Sequence, residues 1–248
     1  MKVVSTLSNA DASAREPSNR ILSGLPRAEL TRMMAALQLV ELDAGETVQH
    51  AHVAVKHVWF PLDCLISLRA EINPGGVLEV GLAGNEGVVG IAGGRHSQDS
   101  LLSAVVQNGG RAMQIDVPAL KRLLPKCPGL QRALYLSMHA LMMQASQNAL
   151  CSHYHLLEGR LARSLLATRD RLGTSDFHLT HEFLAHALGV RRVGVTKAAT
   201  ALQTRGLIRY ARGAISIIDH AGLEQAACAC YALDRRALSA TVDEQVFK

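Results

Sequence analysis

The sequence predicts an α+β protein with an N-terminal antiparallel β-roll, a long central helix and a C-terminal winged helix-turn-helix. Three observations support this prediction: turn-punctuated Val, Ile and Leu runs over 40–116, an uncharged stretch over 133–157, and a helix-turn-helix pattern around Gly189. We expect four segments: a flexible N-terminus at 1–18, the roll with flanking helices at 19–128, the long helix at 129–157, and a basic helical domain at 158–248.

Composition restricts the class of protein. The 248 residues are 48% hydrophobic and 19% charged, which is enough apolar surface for a packed core and excludes a disordered or fibrous chain. Five cysteines form no pairing pattern and no secretory leader is recognisable, so we expect a reduced, cytoplasmic protein with free thiols. Nine polar residues interrupt the uncharged stretch, so a membrane span is not expected.

The roll is predicted from the spacing of turn residues. Short β-prone runs are separated by turns such as Asp43-Ala-Gly45, Pro61-Leu-Asp63 and Asn108-Gly-Gly110. Strands that alternate with turns in this way are typical of antiparallel rolls and barrels. Leu22, Leu25 and Leu30 recur at helical spacing before the first strand, which predicts a short helical entry.

The long helix is predicted from Leu130 to Leu156, about 40 Å at 1.5 Å per residue. One side of this helix carries a narrow apolar stripe with small residues in its second half, which suits the close approach of a second helix in a parallel dimer. An asparagine beside the stripe could fix the register of the two helices. The predicted dimerisation residues are Leu134, Met138, Leu141, Ala145, Asn148, Ala149 and Ser152. The alternative is that this helix packs only on its own domain. We expect a hinge where Glu158-Gly159 interrupts the helical pattern.

The sequence from Leu179 to Gln203 predicts a helix-turn-helix. Thr180 is a good N-cap, Gly189 supplies the turn between the helices, and Val195, Ala198, Ala199 and Leu202 form the buried face of the second helix. Two alternating strands around Ala211-Arg212-Gly213-Ala214 predict a hairpin wing. The expected DNA contacts are Thr180, His181, Arg191, Arg192, Thr196 and Lys197, with Arg209 and Arg212 of the wing meeting phosphate.

Charge is concentrated in the same region. Residues 158–213 contain ten Lys and Arg against four Asp and Glu, a net +6, whereas the other 192 residues sum to −1 of the total +5. A basic module on a near-neutral one indicates a polyanion partner, here double-stranded DNA. The alternative is a basic, solvated helix pair of the kind found in scaffold proteins.

This order of elements resembles the Crp–Fnr superfamily of bacterial transcription regulators over about residues 19–231. The resemblance implies a ligand-sensing, cyclic-nucleotide-binding-like roll, a homodimer formed by the long helix, and two recognition helices that read a near-palindromic operator. An arginine of the family's recognition helix corresponds to Arg192, and Lys197 stands where the family usually has another arginine. The threonine by which the family's first helix contacts the DNA backbone corresponds to Thr180. Val193 replaces an acidic residue that often follows the key arginine, so we expect a different base preference.

The sensor end departs from the family pattern. Cyclic-nucleotide binders carry Gly-Glu and, further along, Arg-Ser-Ala, where Gly90-Ile91 and Leu102-Ser103-Ala104 stand here. Isoleucine cannot accept a hydrogen bond and leucine cannot neutralise a phosphate, so dependence on cyclic AMP is not expected. The candidate effector pocket comprises Glu86, Ile91, Leu102 and Ser103. The alternative is that Glu86 and Arg95 supply the acid and the arginine of a phosphate-binding cassette at a shifted position. No cysteine precedes Cys64, so the iron–sulfur sensor of the family is not expected.

The expected function is therefore a sequence-specific regulator, not an enzyme, with no cofactor and no metal. The resemblance leaves RNA polymerase and an unidentified small-molecule effector open as further partners. One alternative is a cupin-like metal-binding or small-molecule-binding protein with an accessory basic domain, suggested by His50 and His52. Another is an architectural DNA binder without sequence preference.

The C-terminal cysteines are not expected to form a site. Cys228 and Cys230 are predicted on one helix from about Ala221 to Leu238, with their side chains pointing apart, and His155 has no identifiable partner.

Overall fold

The N-terminal half is a β-roll of two four-stranded antiparallel sheets in a computed structural model that describes residues 2–5, 18–72, 76–91 and 100–243. The first sheet has the order β1-β2-β8-β4: β1 Lys2–Ser5, β2 Gln38–Leu42, β8 Gly110–Asp116 and β4 His57–Pro61. The second has the order β3-β7-β5-β6: β3 Thr47–Gln49, β7 Ser103–Asn108, β5 Leu65–Ile72 and β6 Gly76–Ala83. Two short helices, α1 Arg20–Ser23 and α2 Arg27–Met34, precede β2.

The strands form where apolar side chains can enter the space between the sheets. Val40, Trp59, Ile66 and Val106 come from four different strands and are all buried in one core cluster. The predicted roll is thus confirmed. β1 is an addition to it: Lys2–Ser5 pairs antiparallel with β2, so this part of the predicted flexible N-terminus is a strand, whereas residues 6–17 lie outside the described residues.

The long helix follows α3 Val117–Leu123 and a 3₁₀ turn at Leu124–Lys126. It is α4, Pro128–Tyr154, with 27 residues. The carboxylate of Glu29 accepts hydrogen bonds from the backbone N–H groups of Gly129 (3.1 Å) and Leu130 (3.0 Å), which satisfies donors that a helix start leaves free. This long-range cap fixes α4 to the helices that precede the roll.

The helix break lies earlier than predicted. His155 and Leu156 have extended backbone angles, and α5 runs over Leu157–Leu172. Gly159 is therefore inside the first turn of α5 and is not a hinge residue. Its role is close approach, because a Cβ there would lie 3.2 Å from the backbone nitrogen of Cys228.

The predicted dimer stripe of α4 is partly wrong. Leu134 is buried in the core of its own domain, Leu141 packs over Gly81 of β6, and Asn148 donates to the carbonyl of Glu79 (3.3 Å). The exposed apolar face is rotated by about a quarter of a turn from the predicted seam. We call it the α4 stripe, and it comprises Tyr135, Met138, Met142, Met143, Ala149, Leu150 and Tyr154.

The C-terminal domain contains the predicted helix pair and wing. Its elements are β9 Asp176–His178, α6 His181–Leu188, α7 Arg192–Thr204, β10 Ile208–Ala211, β11 Ala214–Ile217, α8 His220–Ala226 and α9 Cys230–Asp243. β9 was not predicted and pairs with β11, giving the sheet order β10-β11-β9. The helix predicted over 221–238 is broken at 227–229.

Buried contacts join this domain to the roll. Arg171 of α5 donates to Glu86 (2.7 Å), with both side chains at most 9% exposed, and Gln107 donates to Thr168 (2.9 Å). The guanidinium of Arg69 lies 4.1 Å from the ring centre of Phe183 on α6. Within the described ranges, no helix is both long and apolar enough to cross a membrane.

Candidate functional site

The helix-turn-helix follows from local capping and turn geometry. Thr180 accepts a hydrogen bond from the backbone N–H of Phe183 (3.1 Å) and so caps α6, as predicted. Gly189 ends α6 with φ +62°, a left-handed conformation that glycine adopts without strain. The predicted buried face of α7 is confirmed, since Val195 and Leu202 are fully buried and Ala198 and Ala199 nearly so.

The opposite face of α7 is open to solvent. Arg191 stands at the N-cap position without a side-chain capping bond, and Arg192, Thr196 and Lys197 follow on the first turns, all exposed. Neither these two arginines nor Lys197 forms an ion pair with any residue in the described ranges. Exposed cations without acidic partners at the start of a helix suit phosphate and base-edge contacts.

The wing extends this basic surface. β10 and β11 are joined by Arg212 (φ +49°) and Gly213 (φ +88°), the two-residue turn that matches the twist of a tight hairpin. Arg209 and Arg212 are exposed. We call Arg191, Arg192, Thr196, Lys197, Arg209 and Arg212 the basic face.

His181, a predicted DNA contact, lies between α6, α7 and the wing. Its ring stacks on Tyr210 of the wing (centres 4.2 Å apart), and its Nδ1 lies 3.0 Å from the hydroxyl of Thr196 on α7. Tyr210 in turn donates to the carbonyl of Leu179 (3.0 Å). Burial and the nearby charge of Arg192 lower the pKa of His181. The half-buried imidazole therefore ties α6, α7 and the wing together, and this positioning role was not foreseen from the sequence.

Comparison with known proteins agrees with this geometry. Residues 159–226 match the family model described as a Crp-like helix-turn-helix domain. FixK2 from Bradyrhizobium japonicum has a similar fold, with a TM-score of 0.67 at 15% identity over 78% of this chain and 98% of FixK2. The chain therefore contains a Crp-like helix-turn-helix domain, and it shares the overall fold of FixK2.

Two further solved structures share the fold of this chain. The c-di-GMP-responsive global regulator CLP of Xanthomonas campestris has a TM-score of 0.66 at 15% identity, covering 77% of this chain and 99% of its own. A Crp/Fnr-family transcriptional regulator from Thermus thermophilus has a TM-score of 0.58 at 23% identity, covering 76% and 97%. No curated protein sequence matches the chain.

A cavity of about 450 Å³ lies between the roll and α4. Its walls are mostly apolar, with Leu68, Val80 and Leu102 from the roll facing Leu141 of α4. A volume of this size is typical of sites for small molecules. Two buried oxygens of its lining have no partner among the described residues: Oε2 of Glu86 and Oε1 of Gln49.

The predicted effector residues divide between this cavity and a neighbouring strand. Glu86, Ile91 and Leu102 line the cavity. Ser103 is not part of its lining, because the Ser103 hydroxyl donates to the carboxylate of Glu71 on β5. Arg95, the cation of a shifted cassette, lies outside the described residues.

One cluster of metal-type ligands contradicts the predicted arrangement of the cysteines. Cys151, His155, Cys228 and Cys230 have their ligand atoms within 4.8 Å of one another. Cys228 and Cys230 converge because the break at 227–229 leaves Cys228 in a loop, whereas one continuous helix would have pointed them apart. The sequence signal was Cys-x₃-His at a helix end together with Cys-x-Cys.

Proposed function

We propose that the protein is a Crp–Fnr-type transcription regulator that binds DNA as a homodimer and reads a near-palindromic operator through the basic face of each chain. The observation that carries this proposal is the row of exposed cations without acidic partners on α7 and the wing. Arg192 would reach base edges, because an arginine near the start of a recognition helix can donate two hydrogen bonds to guanine. Arg209 and Arg212 would contact phosphates on either side of the groove.

The α4 stripe supports the homodimer. Tyr135 and Tyr154 are 70% and 72% exposed in the single chain, and methionines lie between them along the helix. Two tyrosines, three methionines and one leucine are exposed on this side of the helix, with His139, Ser146 and His153 among them. Because the other face of the helix already packs on the roll, this exposed apolar surface suits a second copy of the same helix. A twofold axis along α4 would present two recognition helices to one duplex.

The signal is proposed to be a small, mostly apolar molecule that carries a hydrogen-bond donor. The apolar walls favour such a ligand, and the free oxygens of Glu86 and Gln49 provide acceptors for a hydroxyl. A cyclic nucleotide fits poorly, since Ile91 and Leu102 line the cavity where the resemblance expects Glu and Arg. A bound ligand would act on α5 through Glu86, because Glu86 also holds Arg171.

Selection of bound duplexes from a random pool tests the DNA-reading proposal. Purified full-length protein without added ligand is expected to enrich an inverted repeat. Enrichment of no sequence, with binding that falls steeply with salt, would instead indicate the architectural binder.

Thermal shift tests the proposed ligand class. We expect 1-decanol to raise the Tm, because its hydroxyl can donate to Glu86 or Gln49 and its chain can fill the cavity. Decanoate has the same chain but an anionic acceptor head, so it is expected to raise the Tm less, and cyclic AMP is expected to leave it unchanged. A shift with cyclic AMP alone would contradict the proposed ligand class.

A further inference from the structure

The strongest unassigned feature is the four-ligand cluster at the junction of α4 with the C-terminal domain. Cys151 lies in the last turn of α4, and His155 follows the end of that helix. Cys228 lies between α8 and α9, and Cys230 is the first residue of α9. Two parts of the chain, the end of α4 and the start of α9, therefore bring three thiols and one imidazole to one point.

The spacing of these donors is that of a coordination sphere. Sγ of Cys151 lies 3.5 Å from Sγ of Cys228, and Sγ of Cys230 lies 3.3 Å from Nδ1 of His155. A tetrahedral Zn²⁺ ion with Zn–S of about 2.3 Å and Zn–N of about 2.0 Å has S–S edges of about 3.8 Å and S–N edges of about 3.5 Å. These two distances need to lengthen by only a few tenths of an ångström, and the wider separations, which reach up to 4.8 Å, need to shorten by up to about 1 Å.

The chemistry of the donors selects the ion. Three thiolates and one imidazole are a common ligand set of closed, four-coordinate zinc sites, whereas carboxylate and carbonyl ligands favour Mg²⁺ and Ca²⁺. All four donors lie within 4.8 Å of one another, which suits one ion, because an iron–sulfur cluster distributes its ligands over several iron atoms. Cys151 and Cys230 are each 2% exposed, and His155 and Cys228 are partly buried.

We propose that Cys151, His155, Cys228 and Cys230 bind one Zn²⁺ ion per chain as a structural site. Binding converts three thiols to thiolates, so three protons leave for solvent and the neutral imidazole contributes its Nδ1 lone pair. The amide of Gln147 donates to Sγ of Cys230 (2.8 Å) and orients that ligand from outside the coordination sphere.

The ion would fix the angle between α4 and the DNA-binding domain. The cluster spans the break at His155 and Leu156, where α4 ends and α5 begins. The backbone N–H of Cys228 donates to the carbonyl of Gly159 (3.1 Å), so the ligand loop is already held against the first turn of α5. A metal bond from this loop to Cys151 would close the connection between the two helices. This consequence for DNA reading rests on the proposed function, whereas the metal site itself does not.

Metal content and Co²⁺ absorption test the site directly. The full-length chain, purified with a phosphine reductant and supplied with one equivalent of Zn²⁺ or Co²⁺, is expected to retain one ion after desalting. Bound Co²⁺ should show thiolate charge-transfer and tetrahedral d–d bands. The Cys228→Ser and Cys230→Ser variants should lose the ion, and Cys64→Ala, a cysteine in the core of the roll, should keep it.

Two results would overturn the site: no retained ion in the wild-type chain with its thiols reduced, or an unchanged stoichiometry in the Cys228→Ser/Cys230→Ser double variant. Gln147→Leu gives a milder test that leaves all four ligands in place. We expect about a 10–100-fold loss of Zn²⁺ affinity, since outer hydrogen bonds orient metal ligands. An unchanged affinity would contradict the proposed role of Gln147.

A chelator experiment separates the site from its effect on DNA reading. Removal of Zn²⁺ should lower the Tm of the wild-type chain, re-addition should restore it, and Cys228→Ser should respond to neither. Removal of Zn²⁺ should also weaken binding to DNA that carries both half-sites of the operator more than binding to DNA that carries a single half-site. If the Tm responds and the operator preference does not, the metal site stands and its control of the helix angle is contradicted.

Discussion

At the residue scale, the basic face contains side chains with two different tasks. Arg192 is expected to read bases, and Arg209 of the wing is expected to contact the backbone of DNA. Both are exposed and neither is paired within the described residues, so each can be removed without leaving a buried partner. The two tasks predict two different signatures.

Arg192→Ala should lower affinity for the selected operator by about 1–3 kcal/mol, roughly 5–150-fold, and relax base preference at one position of each half-site. Arg209→Ala should weaken all sequences alike and reduce the slope of log K against log salt by about 1. Fluorescence anisotropy with operator and scrambled duplexes measures both. Lys121→Ala, an exposed substitution on α3, is the matched control. Equal losses on both duplexes for Arg192→Ala would show that Arg192 reads no base.

His181 predicts a dependence of stability on pH. Its pKa in the folded state is below the usual 6.5, because burial and Arg192 disfavour the charged ring. Near and below pH 6.5 the unfolded chain therefore binds more protons than the folded chain. The contribution of His181 to stability is present above pH 6.5 and is lost as the pH falls below 6.5. The Tm of His181→Gln should therefore fall less between pH 7.5 and 5.5 than that of the wild type. Parallel curves would contradict this assignment.

At the scale of elements, the buried Glu86–Arg171 ion pair joins the roll to α5. Removal of Glu86 would leave the guanidinium of Arg171 uncompensated in a site where it is 7% exposed. Glu86→Ala is therefore expected to destabilise the fold by about 3–5 kcal/mol, and the Glu86→Met/Arg171→Met double variant should recover most of this loss.

Urea unfolding measures these differences. The exposed pair of Arg235 with Glu224 is the control, because Glu224→Ala should cost only about 0–1 kcal/mol. If Glu86→Ala unfolds at the same urea concentration as Glu224→Ala, the pair does not join the two domains.

Elements set by local signals were predicted well, and elements set by distant partners were not. The cap at Thr180, the turn at Gly189 and the hairpin at Arg212-Gly213 each follow from a few adjacent residues. β9 depends on a partner strand far along the chain, and the cap of α4 depends on Glu29. The spacing of apolar residues predicted that α4 is a helix. It did not distinguish the apolar face that packs on the roll from the apolar face that stays exposed.

The candidate site shows the same division. The basic face was predicted because its residues lie on one short motif. The cysteine cluster was missed because its ligands come from two parts of the chain, and because one unbroken helix was assumed where α8 and α9 are separate. Of the four residues predicted for an effector pocket, three line one cavity, whereas Ser103 turns toward Glu71.

At the scale of the whole molecule, the α4 stripe predicts the oligomeric state. Leu150 is 53% exposed and would be buried in a helix pair. Leu150→Glu should raise the dimer dissociation constant roughly 100-fold. The reason is that burial of the two introduced carboxylates in the interface costs about 1–2 kcal/mol each. Ile72→Glu replaces an apolar residue that is 75% exposed at the end of β5, and it should leave the dimer intact. Sedimentation velocity separates the two outcomes, and a stable Leu150→Glu dimer would place the interface elsewhere.

The proposed dimer places two recognition helices on one face of a duplex. The most direct measurement is the affinity of the wild-type chain for inverted repeats whose half-sites are moved apart in steps of one base pair. We expect maximal affinity at a centre-to-centre spacing of about 10 base pairs, about 34 Å, with two chains per duplex and a sharp loss when five base pairs are added. Affinity that does not depend on spacing, or a complex with one chain per duplex, would contradict the account.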